Sequence, residues 1–130
     1  GTASVDFLVV EKTGSQREVF VCEVNARVTG ATYPSVLARH FIPGGAWLMR
    51  NLRLSERVEG DRLLEMLDRP GDLFETGRER GILPINFNSA EDGLVQKGQF
   101  LCMAETMVEC EELLNLAKHD LPVDFSVDRD

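Results

Sequence analysis

Glu23, Asn25 and Arg27 occupy alternate positions just before a Thr-Gly turn. An extended backbone sends alternate side chains to one face, so this spacing gathers two oxygen donors and one permanent cation on a single surface. Carboxylate and carboxamide oxygens suit a hard divalent cation, and a guanidinium beside them suits an anion that the cation also holds. The combination fits a metal-bound nucleotide.

The elements that must position these residues are strands. Residues 4–10 and 18–24 are apolar, β-branched runs on either side of a short polar stretch around Gly14, which predicts a β-hairpin. A two-residue Gly14-Ser15 loop in a type II′ turn places Asp6 opposite Glu23. The same register sets Glu11 against Glu18 near the tip, where solvent screens the repulsion. Like charges directly opposite each other destabilise a sheet unless a cation compensates them. Mg²⁺ often uses one or two carboxylates together with phosphate oxygens, and Asp6, Glu23 and the Asn25 amide oxygen make such a set. A three-residue loop would instead send Asp6 and Glu23 to opposite faces. Ordinary solvated strand charges fit the same residues, and spacing alone leaves both readings open.

The order of features, Val5-Asp6-Phe7 followed by Glu23-Val24-Asn25-Ala26-Arg27, resembles the carboxyl-terminal signature of the ATP-grasp superfamily. The resemblance implies that Asp6, Glu23 and Asn25 are ligands of Mg²⁺ (or Mn²⁺) bridging ATP phosphates. It implies that Arg27 contacts the transferred phosphoryl group or an acyl phosphate. Many members have Pro between the Asn and the Arg, where this chain has Ala26, a departure that touches no ligand. Residues 28–34 are similar to the small-residue loop that borders the acceptor site in such ligases, which makes Thr29, Gly30 and Thr32 candidate substrate contacts. A helix starting just past this loop would aim its positive end at an anionic acceptor such as a carboxylate.

The resemblance covers about the first third of the chain. It implies an α+β fold, mostly antiparallel sheet packed with helices, as the carboxyl-terminal subdomain of an ATP-grasp fold. The implied activity is an ATP-dependent joining of a small carboxylate to an amine acceptor. Residues 1–130 then read as a carboxyl-terminal fragment whose nucleotide-clamping Lys residues and Gly-rich loop lie in upstream ATP-grasp subdomains. Lys12, Lys97 and Lys118 sit at a hairpin tip, before a strand and near a helix end, none of which matches a clamping position. Little ligase activity is expected of residues 1–130 alone. A biotin-dependent carboxylase component shares the metal signature, and a non-catalytic α+β interaction module is the alternative from a different class.

Composition narrows the classes. The chain has 130 residues and 43% hydrophobic content, enough for a core without disulfide staples. No apolar run approaches membrane-spanning length, so no membrane partner is expected and the cytoplasm is the default compartment. A net charge of −8 argues against nucleic acid, whose phosphates need concentrated Lys and Arg. It does not argue against ATP, because a divalent cation reverses the local sign. Cys22, Cys102 and Cys110 lack metal-ligand spacing and fall in apolar patterns, which predicts buried reduced thiols. No phosphate loop, dinucleotide fingerprint or nucleophile elbow occurs.

Downstream, Pro34 is expected at the first position of a helix with Val36, Leu37 and Phe41 inward, ending at residues 42–45. Arg39 and His40 fall on its solvated face. Residues 46–54 fit neither period cleanly and suggest a short helix turning into an extended piece. Arg50 and Arg53 within it are candidates to meet an anionic substrate or to pair with surface acids. Asp61 is expected to cap a helix that buries Leu63, Leu64 and Leu67. Residues 81–88 read as a strand that Pro84 places at an edge or at a strand start, residues 91–93 as a turn and residues 99–104 as a strand. Thr106 and Glu109 spell a capping box for a helix burying Cys110, Leu113, Leu114 and Ala117. His119 suits the negative end of that helix, and the acidic tail 122–130 is expected to be frayed or extended.

Overall fold

The structure is a computed structural model that describes residues 3–12, 16–26, 30, 32–89 and 91–125. The chain is α+β, with antiparallel sheets and helices packed against sheet. It forms two compact units, Gly1–Ser35 and Val36–Asp130.

The first unit is the expected hairpin, β1 (Ser4–Glu11) against β2 (Arg17–Asn25). Its register differs from the two-residue-loop expectation. Glu11 pairs with Arg17 and Val10 with Glu18, so the tip is one residue out of step. Electrostatics accounts for the preferred register. It replaces a Glu11–Glu18 repulsion with the ion pairs Arg17–Glu11 at 2.9 Å and Lys12–Glu18 at 2.5 Å. The shift would have separated Asp6 from Glu23, but an irregularity between Asp6 and Phe7 absorbs it. Phe7 pairs with Val21 and Asp6 with Glu23, leaving Cys22 as the extra residue of a β-bulge. Cys22 is therefore exposed, which corrects its expected burial.

Both faces of this ribbon carry apolar side chains. Val5, Phe7, Val9, Val19, Val21 and Val24 are exposed on one face, and Leu8, Val10 and Phe20 on the other.

The second unit is built on a three-stranded antiparallel sheet in the order β3–β5–β4, with β3 Ala46–Val58, β4 Gly81–Ser89 and β5 Val95–Ala104. One face is covered by α2 (Gly60–Asp68) and α3 (Met107–Asp120) through Leu63, Leu67, Cys110, Leu113, Leu114 and Ala117. Against them pack Leu52, Leu54, Ile82, Phe100, Cys102 and Ala104. The opposite face packs Trp47, Met49, Leu83, Leu101 and Met103 with Leu37, Ala38 and Phe41 of α1 (Thr32–Phe41) and with Phe74. Burying both faces explains why residues 46–54 showed no clean alternation. They form the first nine positions of β3, a strand rather than the expected helix, with apolar side chains needed on each side.

Other local expectations shift by a few positions. The helix α1 starts at Thr32, so Pro34 sits third, still within the first turn where an N–H has no intrahelical acceptor. Val36 is 56% exposed, and Ala38 takes its place on the buried stripe. The cap of α2 is Glu59 without a side-chain bond, while Asp61 lies in the first turn, where its charge still opposes the positive end of the dipole. Leu64 is partly exposed rather than buried. Arg39 and His40 are exposed, and the His40 ring meets Phe41 edge-on at 4.9 Å.

The strand β4 is an edge strand, one of the two positions that Pro84 left open. In the turn before β5, the Leu94 N–H donates to Asp92 Oδ1 at 3.1 Å and Gly93 adopts φ 79°. That bond, with Arg57 adding, holds the Asp92 carboxyl below its usual range. Gly45 is needed for close approach, because a Cβ there would lie 2.5 Å from the Ala104 carbonyl oxygen. The tail is not frayed throughout. Leu54 and Val123 form a bridge, and the Asp124 N–H donates to the Arg53 carbonyl at 2.8 Å.

The capping box at α3 is present in both directions. The Glu109 N–H donates to Thr106 Oγ1 at 3.3 Å, and the Thr106 N–H donates to Glu109 Oε2 at 2.9 Å. Donation from the Thr106 backbone is the main reason the Glu109 carboxyl is held below its ordinary value of 4.5. This contribution to stability is present above that value and is lost as pH falls through the depressed one. Thr106→Ala is expected to lower unfolding free energy by about 1 kcal/mol, read from the urea midpoint at neutral pH.

Candidate functional site

The bulge at Cys22 determines the geometry of the candidate metal site. With Asp6 paired to Glu23 and Ser4 to Asn25, these four residues lie on one face of the ribbon. Asp6 and Glu23 are a cross-strand pair of like charge, and both residues are exposed. Among the described residues neither makes an ion pair, whereas Glu11 and Glu18 nearer the tip each hold a cation. One end of the hairpin is therefore electrostatically satisfied and the other carries two adjacent carboxylates.

The donor set consists of two carboxylates and one carboxamide, all on one side. That suits a divalent cation whose remaining positions are filled by water and phosphate oxygens, and it is too small to enclose a metal by protein alone. Among the described residues no three His, Cys, Asp or Glu side chains cluster to hold an ion.

Of the other candidates, Arg27 and Thr29 lie outside the described residues. Gly30 falls in a turn and Thr32 is the first residue of α1. The Thr32 carbonyl accepts from Ser35 Oγ at 2.8 Å, a bond that steadies the first turn.

The remaining groups singled out by the sequence separate into two kinds. Cys102 and Cys110 are buried, and burial pushes the Cys102 thiol up to about 12, which makes it a poor nucleophile at neutral pH. His119 is exposed, with Nδ1 2.9 Å from Asp120 Oδ1, at the last turn of α3. Arg50 donates to the Met49 carbonyl at 2.9 Å, while Arg53 makes no ion pair among the described residues. Arg53 instead stands directly across from Lys97, which lies within β5 rather than before it. Sequence reasoning missed this pairing. Its only advance signal was two cations in separate apolar–polar runs, and register between strands is needed to bring them together.

Among the described residues, no helix is long and apolar enough to cross a membrane. Comparison with protein-family models, with curated proteins and with solved structures found no match to this chain.

Proposed function

We propose that the chain is the metal- and phosphate-binding part of an ATP-dependent ligase that joins a carboxylic acid to an amine. The observation that supports this reading is the Asp6–Glu23 pair, kept in register by the Cys22 bulge with Asn25 on the same face. A like-charge pair weakens a hairpin, and a bound cation gives the arrangement a use.

In this reading Asp6, Glu23 and Asn25 hold Mg²⁺ or Mn²⁺. The bound ion would neutralise charge building on the β and γ phosphates during transfer. Arg27 would contact the transferred phosphoryl group. A carboxylate oxygen of the acid attacks the γ phosphorus, the bond to the β–γ bridging oxygen breaks, and ADP leaves. The amine nitrogen then attacks the acyl carbon, phosphate departs with the bonding pair, and the nitrogen loses a proton. Position and electrostatics carry both steps without an enzyme nucleophile. Thr29, Gly30 and Thr32 are proposed to border the acceptor. The nucleotide clamp itself is assigned to upstream subdomains.

The test uses a polypeptide that carries those subdomains together with residues 1–130, ATP, Mg²⁺ and a carboxylate labelled with heavy oxygen. The expected result is ADP release and one labelled oxygen in the phosphate, with a hydroxamate formed when hydroxylamine replaces the amine. Release of AMP, or phosphate without label, would sink the acyl-phosphate reading. A second reading, a non-catalytic interaction module, draws on the apolar residues exposed on both faces of the hairpin. It expects no nucleotide turnover in that assay.

A further inference from the structure

The face of the three-stranded sheet that α1 covers changes character abruptly along its length. Two cross-strand rows, Trp47–Met103–Gly81 and Met49–Leu101–Leu83, lie in the apolar part. The next row is Asn51–Gln99–Asn86, and the one after it is Arg53–Lys97–Asn88. A β-bulge at Ile85 puts Asn86 and Asn88 on this face, aligned with their partners. Asn51, Arg53, Asn86, Asn88 and Lys97 are exposed and Gln99 is half-buried.

Arg53 and Lys97 are directly opposite and carry the same charge, an arrangement that destabilises a sheet. In a chain with 22 acidic and 14 basic residues, an acidic partner for each would be easy to place. Arg57, Arg62 and Arg78 of the same unit each pair with a carboxylate. Arg53 and Lys97 form no ion pair among the described residues. Protection of an edge strand by charge would account for Arg53 on β3. It does not account for Lys97, which lies on the central strand.

Two adjoining depressions open over these rows. One, about 100 Å³, is lined by Asn51, Asn86, Lys97 and Gln99 among others, and one of about 320 Å³ is lined by Arg53, Ser89 and Gln96. Asn88 and Lys97 border both. The larger is of small-ligand size.

We infer that this polar sheet face is a binding site for a short peptide bearing a free terminal carboxylate. The carboxylate would sit on Arg53 and Lys97, and the preceding amide groups would lie across Asn51, Gln99, Asn86 and Asn88. Charge supports the first half of this assignment, since two cations without an ion pair among the described residues complement an anionic group. Hydrogen-bond inventory supports the second half. A bare phosphate would use donors alone, whereas four carboxamides present acceptors as well, which the N–H groups of a peptide backbone match. Successive rows stand roughly 7 Å apart, close to the two-residue repeat of an extended peptide. The net charge of −8 and a patch of only two cations argue against a polyanion such as nucleic acid on this face.

This site uses residues of the second unit and is independent of the ligase reading. The test follows backbone amide NMR shifts of the 130-residue chain during titration with N-acetyl-dialanine, its carboxamide analogue and inorganic phosphate. Saturable shifts confined to residues 51–53, 86–88 and 97–99 are expected with the free acid. The carboxamide analogue, and the acid with Arg53→Gln or Lys97→Gln, should bind at least about tenfold more weakly, since each loses a charge-assisted bond. Asn51→Ala should weaken the acid without changing its preference over the carboxamide. Equal binding of acid and carboxamide would overturn the inference, as would phosphate binding as well as the acid, or shifts absent from these three segments. All substituted residues are exposed apart from their backbone, so retained amide dispersion checks that the variants stay folded.

Discussion

Phe100→Ala is expected to lower the unfolding free energy of the second unit by about 3–5 kcal/mol, the usual cost of emptying a buried aromatic site. Phe100 is fully buried on the central strand, where neither edge can open to let the sheet relax around a void. Its ring lies 6.1 Å from that of Phe87, tilted by 54°. Gly98 leaves the space beside it, because a Cβ at that position would stand 2.9 Å from the Phe100 ring. Domains of this size are stable by only about 5–15 kcal/mol, so the loss would be a large fraction of the total. Urea unfolding followed by far-ultraviolet circular dichroism reads it, and Phe100→Leu should retain most of the lost stability. A midpoint unchanged by the alanine variant would mean that the β3–β5–β4 order does not describe the core.

The second large effect is expected at Glu23. On the ligase reading, Glu23→Gln in the polypeptide with its upstream subdomains should slow Mg²⁺-dependent ADP release at least about a hundredfold, as loss of one electrostatic stabiliser does elsewhere. The fold should not suffer. Removing one of two facing carboxylates relieves a repulsion worth roughly a few tenths of a kcal/mol, so the hairpin should become slightly firmer. Opposite signs for activity and stability distinguish a site from a solvated surface pair. If these are only strand charges, the variant gains the same firmness and turns over ATP at the original rate. Glu18→Gln is the control, since it breaks the Lys12 pair and touches no proposed ligand.

Much of this architecture was legible because local chemistry decided it. The capping box at Thr106, the inward face of α3 and the turn at Asp92 all follow from interactions within a few residues. The strand β3 was not legible, because period-2 alternation disappears when helices cover both faces of a sheet. The start of α1 was misplaced because Pro is tolerated throughout a first turn rather than only at its first residue.

Candidate ligands were legible in the same uneven way. Alternation alone put Glu23 and Asn25 on one face. Their alignment with Asp6 depended on a tip register chosen by ion pairs and on a bulge that cancelled it, and neither leaves a mark in spacing. Opposition of Arg53 to Lys97 is a long-range fact of the same kind.

The bulge that exposes Cys22 also gives the protein a ready-made attachment point. Two of its three sulfhydryls are sealed in the core, and burial holds both above their ordinary ionisation range. A maleimide at neutral pH would therefore couple to the hairpin alone, one residue from Glu23, with no cysteine engineered or removed. On the ligase reading a paramagnetic tag placed there would sense manganese arriving at the neighbouring carboxylates, and the core cysteines would become taggable only on unfolding.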